Sequence, residues 1–195
     1  MAGYSAIADM SRYLIEELRK ALVPGVINSP ETIGLCSPDD HGDLRLGVFL
    51  YDVSRASDIK ANGMVHIDSK TLGYEPIYLS LSYMITAYTS GDLRYKGFEE
   101  EKILGAVIQH FNDYPVIKAD DFDAESPSSV DIKVELLRPE LDERFRVWSF
   151  PNTGYKLSLF YRVVPIVIDS ARKREVSRIT DANFNIGYST RRVTR

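Results

Sequence analysis

Along residues 76–89, PIYLSLSYMITAYT, apolar and polar positions alternate. Leu79, Leu81, Tyr83, Ile85 and Ala87 fall on one face of an extended chain, and Ser80, Ser82 and Thr86 on the other. A period of two marks a half-buried strand, and this one predicts the central strand of a domain. Residues 44–53, LRLGVFLYDV, give a second strand: Leu44, Leu46, Val48 and Leu50 share one side, Phe49, Tyr51 and Val53 the other. With both faces apolar, it belongs inside the sheet or under a neighbour. Residues 130–137 alternate Val130, Ile132, Val134 and Leu136 with Asp131, Lys133 and Glu135, an amphipathic strand with one wet face. Residues 155–170 begin with Leu157, Leu159, Tyr161 and Val163, then shift phase to Val164, Ile166 and Ile168. A shift beside Pro165 predicts a bulge and places that stretch near a sheet edge.

The period changes to 3.6 in three places. Ile7, Met10, Leu14, Leu18 and Leu22 form the stripe of an N-terminal helix that Pro24-Gly25 ends, followed by a short extended piece over 26–29. Residues 98–112 form a helix with Ile103, Leu104, Val107, Ile108 and Phe111 on one stripe and Glu99, Glu100 and Glu101 in the first turn, where the helix dipole favours negative charge. Residues 90–97 read as its polar connection, and Asp113-Tyr114-Pro115 as its stop. Pro139 suits the first turn of a short helix over 140–148, in which Leu141, Phe145 and Trp148 recur at i, i+4 and i+7, so the single tryptophan reads as core. Strands and helices in this order predict a mixed α+β fold, a mainly antiparallel sheet flanked by helices.

The connections are uneven. Residues 29–43, SPETIGLCSPDDHGD, are turn chemistry and predict an exposed, mobile loop. Residues 54–75 hold no helix and one brief alternation, Met64, His66 and Asp68 against Val65 and Ile67. So long a connection in a compact domain points to a loop with its own function, read as a hairpin-like excursion reaching a neighbour. Residues 119–129 form an acidic loop. Beyond residue 170 the composition changes: residues 171–195 carry seven Lys or Arg against Glu175 and Asp181, a local charge of +5. That leaves −9 for residues 1–170 of a chain with net charge −4. The expected organisation is therefore one domain, 1–170, and a basic C-terminal arm, 171–195, whose Ala182, Phe184, Ile186 and Tyr188 alternate as a further strand on this chain or another.

Composition narrows the function classes. At 195 residues, 44% hydrophobic and 27% charged, the chain has the make-up of an ordinary soluble protein. One cysteine, Cys36, excludes an internal disulfide and reads as a buried, inert thiol. No apolar run has the length of a signal peptide core or a membrane span, so folding in the cytoplasm and no membrane insertion are expected. Ser37, Asp39, Asp40, His41 and Asp43 have the residue types of a triad or metal site. They are packed into one turn-rich loop, however, whereas triads are assembled from distant positions. Asp120, Asp121, Asp123 and Glu125 lack the glycine and distal glutamate of a calcium loop, and His66 and His110 lack companions at ligand spacing. Phosphate loops, paired zinc motifs and a nucleophile elbow are absent from the sequence. The expectation is a non-enzyme with no cofactor and no metal. The basic arm is matched to nucleic acid, acidic membrane or acidic protein, and with few arginines interleaved by aromatics a protein partner is preferred over nucleic acid.

Three segments in this order carry a resemblance: PIYLSLSYMITAYT, EEEKILGAVIQHFNDYPV, and WSFPNTGYKLSLFYRVVPIVIDS, preceded by FLYDVS and by an N-terminal helix followed by INSP. Together, over roughly residues 5–170, they resemble the tail-terminator, or cap, proteins of extracellular contractile injection systems of the virulence-cassette and antifeeding-prophage types. The resemblance implies a phage tail-terminator-like fold and a hexameric ring that ends polymerisation of the inner tube and sheath. It also implies assembly in the bacterial cytoplasm before incorporation into a particle. The alternative is a phage tail terminator or neck protein of a DNA-containing tail. Some caps carry a further C-terminal domain where this chain has only its arm. Ring and sheath contacts are therefore expected from the excursion and the arm, through Arg55, His66, Tyr74, Arg172, Lys173, Arg174, Arg178, Phe184, Tyr188, Arg191, Arg192 and Arg195.

Overall fold

The computed structural model describes residues 3–57, 63–66, 71–90, 92–123, 130–151 and 153–175. The helices are α1 (Ala6–Leu22), α2 (Leu93–Asp113), α3 (Ala119–Asp123) and α4 (Leu141–Val147). The strands are β1 (Ile33–Leu35), β2 (Leu46–Arg55), β3 (Val65–His66), β4 (Thr71–Gly73), β5 (Ile77–Ala87), β6 (Val116–Ile117), β7 (Ile132–Leu137), β8 (Ser158–Ile168) and β9 (Lys173–Glu175). Six strands form one sheet in the order β1-β2-β5-β8-β7-β6, antiparallel throughout except for the parallel pair β1 and β2. The expected α+β class is the observed one. β5 is the central strand, paired from Leu46↔Ala87 to Arg55↔Leu79 on one side and from Ile77↔Ile168 to Thr86↔Ser158 on the other.

The strand period sorts side chains onto two cores. On one face Leu46, Val48, Leu81, Tyr83, Ile85, Val134, Tyr161 and Val163 meet Met10, Leu14 and Leu18 of α1 and Ile103, Val107 and Phe111 of α2. On the other, Met84 and Phe160 pack with Trp148, and Phe49, Tyr51, Leu137, Val147 and Phe150 close around them. The tryptophan is core, as its spacing implied. The reading of β5 as half-buried is corrected: Ser80, Ser82 and Thr86 are buried as well, because the α4 segment covers their face. Two of these hydroxyls offset desolvation by pairing, Thr86 Oγ1 with Ser158 Oγ at 2.8 Å and Ser82 with Tyr51.

Other expectations change for identifiable reasons. Residues 26–29 make no strand; the N–H groups of Val26 and Ile27 bond back to the carbonyl of Leu22 and wrap the end of α1. The polar loop at 29–43 contains β1, whose Ile33 is wholly buried and whose carbonyl accepts from the Arg19 guanidinium at 2.8 Å. α2 starts five residues before the expected 98, because Asp92 caps it by accepting from the backbone N–H of Arg94 at 3.1 Å. Glu99 to Glu101 consequently lie beyond the first turn, at the end of the second and in the third. Ile108 is 39% exposed and leaves the α2 stripe, and Leu141 and Phe145 of α4 are exposed rather than core. The acidic loop opens with one helical turn, α3, and residues 124–129 lie outside the described residues.

The bulge expected beside Pro165 is present. Leu79 pairs with Ile166 but Leu81 with Val163, so β8 carries the extra residue. β8 as a whole is interior, yet β7 pairs it only between Phe160 and Val164, which leaves the stretch from Pro165 onward with β5 alone. A proline has no N–H to offer a second neighbour, and here none is asked of it.

Candidate interaction surface

The residues that invited a catalytic reading are occupied locally. Ser37 Oγ donates to Asp39 Oδ1 and Ser37 bridges Asp40 across the turn, while His41 Nδ1 donates to the carbonyl of Gly42 at 2.9 Å. The His41 ring stacks on Tyr88, with centroids 4.0 Å apart. The half-buried Cys36 thiol is pushed up to about 11, first by burial and then by the charge of Asp40, so its thiolate is scarce at neutral pH. His110 is half-buried between Phe111 and Tyr114, and burial lowers its pKa against the pull of Glu17 and Asp113. Among the described residues no group of three or more His, Cys, Asp or Glu is placed to hold a metal ion, and no helix is long and apolar enough to cross a membrane.

A second, smaller sheet joins two segments that are a hundred residues apart in sequence. Its order is β3-β4-β9. Val65↔Gly73 and His66↔Leu72 make the excursion a hairpin, and Thr71↔Glu175, Leu72↔Arg174 and Gly73↔Lys173 attach the start of the basic arm to it. The Tyr74 N–H donates to the Arg172 carbonyl at 3.3 Å, and the exposed Arg172 guanidinium stands 4.3 Å from the Tyr74 ring centroid, a cation–π contact. The ends of β2 and β8 and the start of β5 meet at the root of this sheet, where Arg55 is exposed opposite Leu79. His66, Tyr74, Arg172, Lys173 and Arg174 are thus brought into one unit, with Arg55 at its base. Arg178, Phe184, Tyr188, Arg191, Arg192 and Arg195 lie outside the described residues. Strands of two or three residues are marginal on their own, so this element is suited to completion by contacts beyond the domain.

Two further surfaces escaped the sequence reading because their residues occupy positions with core periodicity. Ile108, Phe111, Asn112, Pro115, Val134, Leu136 and Tyr161 line an open cleft between α2 and β7, with Leu136 52% exposed. On the opposite face of the sheet, Leu141 and Phe145 of α4 project beside Tyr155. Periodicity reports which residues share a face; it does not report whether anything covers that face.

The sequence and fold can be placed among known proteins. A search of curated proteins finds no match. Among solved structures, the chain is similar to the PVC sheath/tube terminator of an extracellular contractile injection system, in the extended state, with a TM-score of 0.68 and 14% identity. That match covers 94% of this chain and 64% of the other. It is also similar to the anti-feeding prophage cap, the tube-terminating cap, with a TM-score of 0.50 and 17% identity over 72% of this chain and 48% of that one. This chain therefore spans between about half and two thirds of the length of these structures, and the tail-terminator-like fold is shared. The model of the Pvc16 N-terminal domain matches residues 9–181. A match of that extent identifies the family: the chain belongs to the Pvc16 N-terminal domain family.

Proposed function

We propose that this protein is a structural cap of a phage-tail-like contractile injection particle, a closed hexameric ring that binds the end of the inner tube and sheath and stops their growth. The observation that carries the reading is the shared fold with a sheath/tube terminator across 94% of this chain, within a family match over residues 9–181. Physical logic agrees with it. Tube and sheath are open polymers built on a heterologous interface, and growth continues until a subunit binds the end without offering another copy of that interface. Such a cap works through protein contacts alone. The chain has twelve tyrosines to supply them.

The excursion at 54–75, with Tyr74, and the basic arm 171–195 are assigned to contacts with neighbouring ring subunits and sheath, both being surplus to the core of the domain 1–170. Assembly takes place in the bacterial cytoplasm and the cap leaves as part of the particle. The test is to mix purified protein with isolated tube and sheath ends and image the complexes. Rings seated on ends support the proposal. Free protein beside bare ends, or binding to DNA that weakens steeply with salt, would replace it with another reading, the latter favouring a DNA-containing tail.

A further inference from the structure

The cleft between α2 and β7 has a volume of about 270 Å³ and is lined mainly by apolar side chains. Sites for cofactor-sized ligands run to about 300–1,000 Å³ with several converging polar groups. Here Asn112 and Tyr161 are the lining residues with polar side-chain atoms, and the cleft has room for a protruding side chain.

The opposite face of the same sheet supplies such a side chain. Phe145 is 49% exposed, with Leu141 one turn before it at 56%. Its ring rests on Tyr155, centroids 5.1 Å apart, and Tyr155 in turn packs at 5.9 Å on the buried Trp148. A rigid aromatic base of this kind lowers the entropy lost on docking. Phe98 is more exposed, at 73%, but has no ring contact among the described residues and sits between Gly97 and Glu99. Charge agrees with the pairing. Arg146 follows Phe145, and Asp113 follows the cleft residue Asn112; both are exposed, and among the described residues neither is held in an ion pair.

We infer that Phe145 of one copy seats in the α2–β7 cleft of a second copy, with Arg146 facing Asp113. Because the knob and the cleft lie on opposite faces of one sheet, the contact is heterologous. Each copy gives one and accepts one, and such a contact closes a ring when the rotation between copies divides a full turn. The inference rests on the ring reading above and names its contact.

Two differently tagged full-length chains, both Cys36→Ser, test it in cells that also make the tube and sheath proteins. One carries Asp142→Cys, one turn before Phe145, and the other Gln109→Cys, beside the cleft residue Ile108; both positions are exposed and leave Phe145 and the cleft walls in place. A short bis-maleimide should link the two tags, and Asp142→Cys alone should not link to itself. Arg146→Glu or Asp113→Arg in those chains should lower the mixed-tag yield severalfold, and the two together should restore it. Absence of the mixed-tag product, or self-linking of Asp142→Cys at equal yield, overturns the contact. Particle length in the same cells keeps the two readings apart. Uniform lengths without the mixed-tag product would leave the cap standing and remove only this interface.

Discussion

Glu100 is a partly buried carboxylate that ties α2 to two other segments of the chain. Its Oε1 accepts from Lys156 Nζ at 2.8 Å and from the Thr89 hydroxyl and backbone N–H at 3.1 and 3.2 Å. Burial pushes its pKa up, but the bond and charge of Lys156 and the two bonds of Thr89 outweigh this, and the net shift is down. A carboxyl whose folded pKa is depressed contributes stability above its unfolded pKa of about 4.3 and loses it as pH falls through the lower folded value. Glu100→Gln should therefore be destabilising at pH 7 and should flatten the fall in stability below about pH 4.5, as read by urea melts across that range. At the alkaline end, burial pushes Tyr83, Tyr88 and Tyr161 up to about 12. Their contribution is complete below about pH 10 and falls as pH rises toward the folded value.

The Tyr83 hydroxyl, wholly buried, meets Ser11 Oγ at 2.9 Å, and Ser11 also donates to the Ile7 carbonyl at 3.1 Å. The two deletions of this pair are unequal. Tyr83→Phe leaves Ser11 its backbone partner and should cost about 1 kcal/mol, whereas Ser11→Ala strands a buried phenol and should cost about 1–3 kcal/mol. Equal melting temperatures for the two variants would contradict the asymmetry. At Gly47 a Cβ would run into Cys36 Sγ and come within 2.9 Å of Tyr88 Cε2. Gly47→Ala should lose about 1–3 kcal/mol by overpacking, and Cys36→Ala in the same chain should recover part of it.

At the scale of elements, the long-period signals were legible and the short ones were not. α1, β2, β5, β7 and β8 are found where alternation or the helical stripe predicts them, because each is at least six residues long and its buried side chains must agree in phase. β1, β3, β4, β6 and β9 are two or three residues long, too short for any period to show. The start of α2 was hidden because its first turns, Leu93 to Phe98, expose their aromatics: Tyr95 is 64% and Phe98 73% exposed, so a cap rather than a stripe defines the beginning. The candidate site was legible as two surplus segments, the excursion and the arm. That they pair with each other was not, since strand pairing over a hundred residues leaves no local mark. The pairing carries a prediction. Removing residues 171–195 takes β9 from β4 while leaving both cores intact, so amide exchange at 71–73 should accelerate by at least tenfold with β5 still protected. Unchanged exchange at 71–73 would show that β9 does not hold the hairpin.

For the whole molecule, charge and topology point the same way. Residues 1–170 carry a charge of −9 and residues 171–195 one of +5, and β9, at the start of the basic stretch, pairs with β4 beside the end of the sheet where β2, β5 and β8 meet. Opposite charge on separate parts of one chain favours contact between neighbouring copies over contact with nucleic acid. If this protein ends growth, particle length reads it directly. Electron micrographs of particles from cells lacking this chain should show a broad length distribution with overlong tubes and sheaths, restored to one length by residues 1–195 and only partly by residues 1–170. Particles of normal, uniform length without the chain would contradict it.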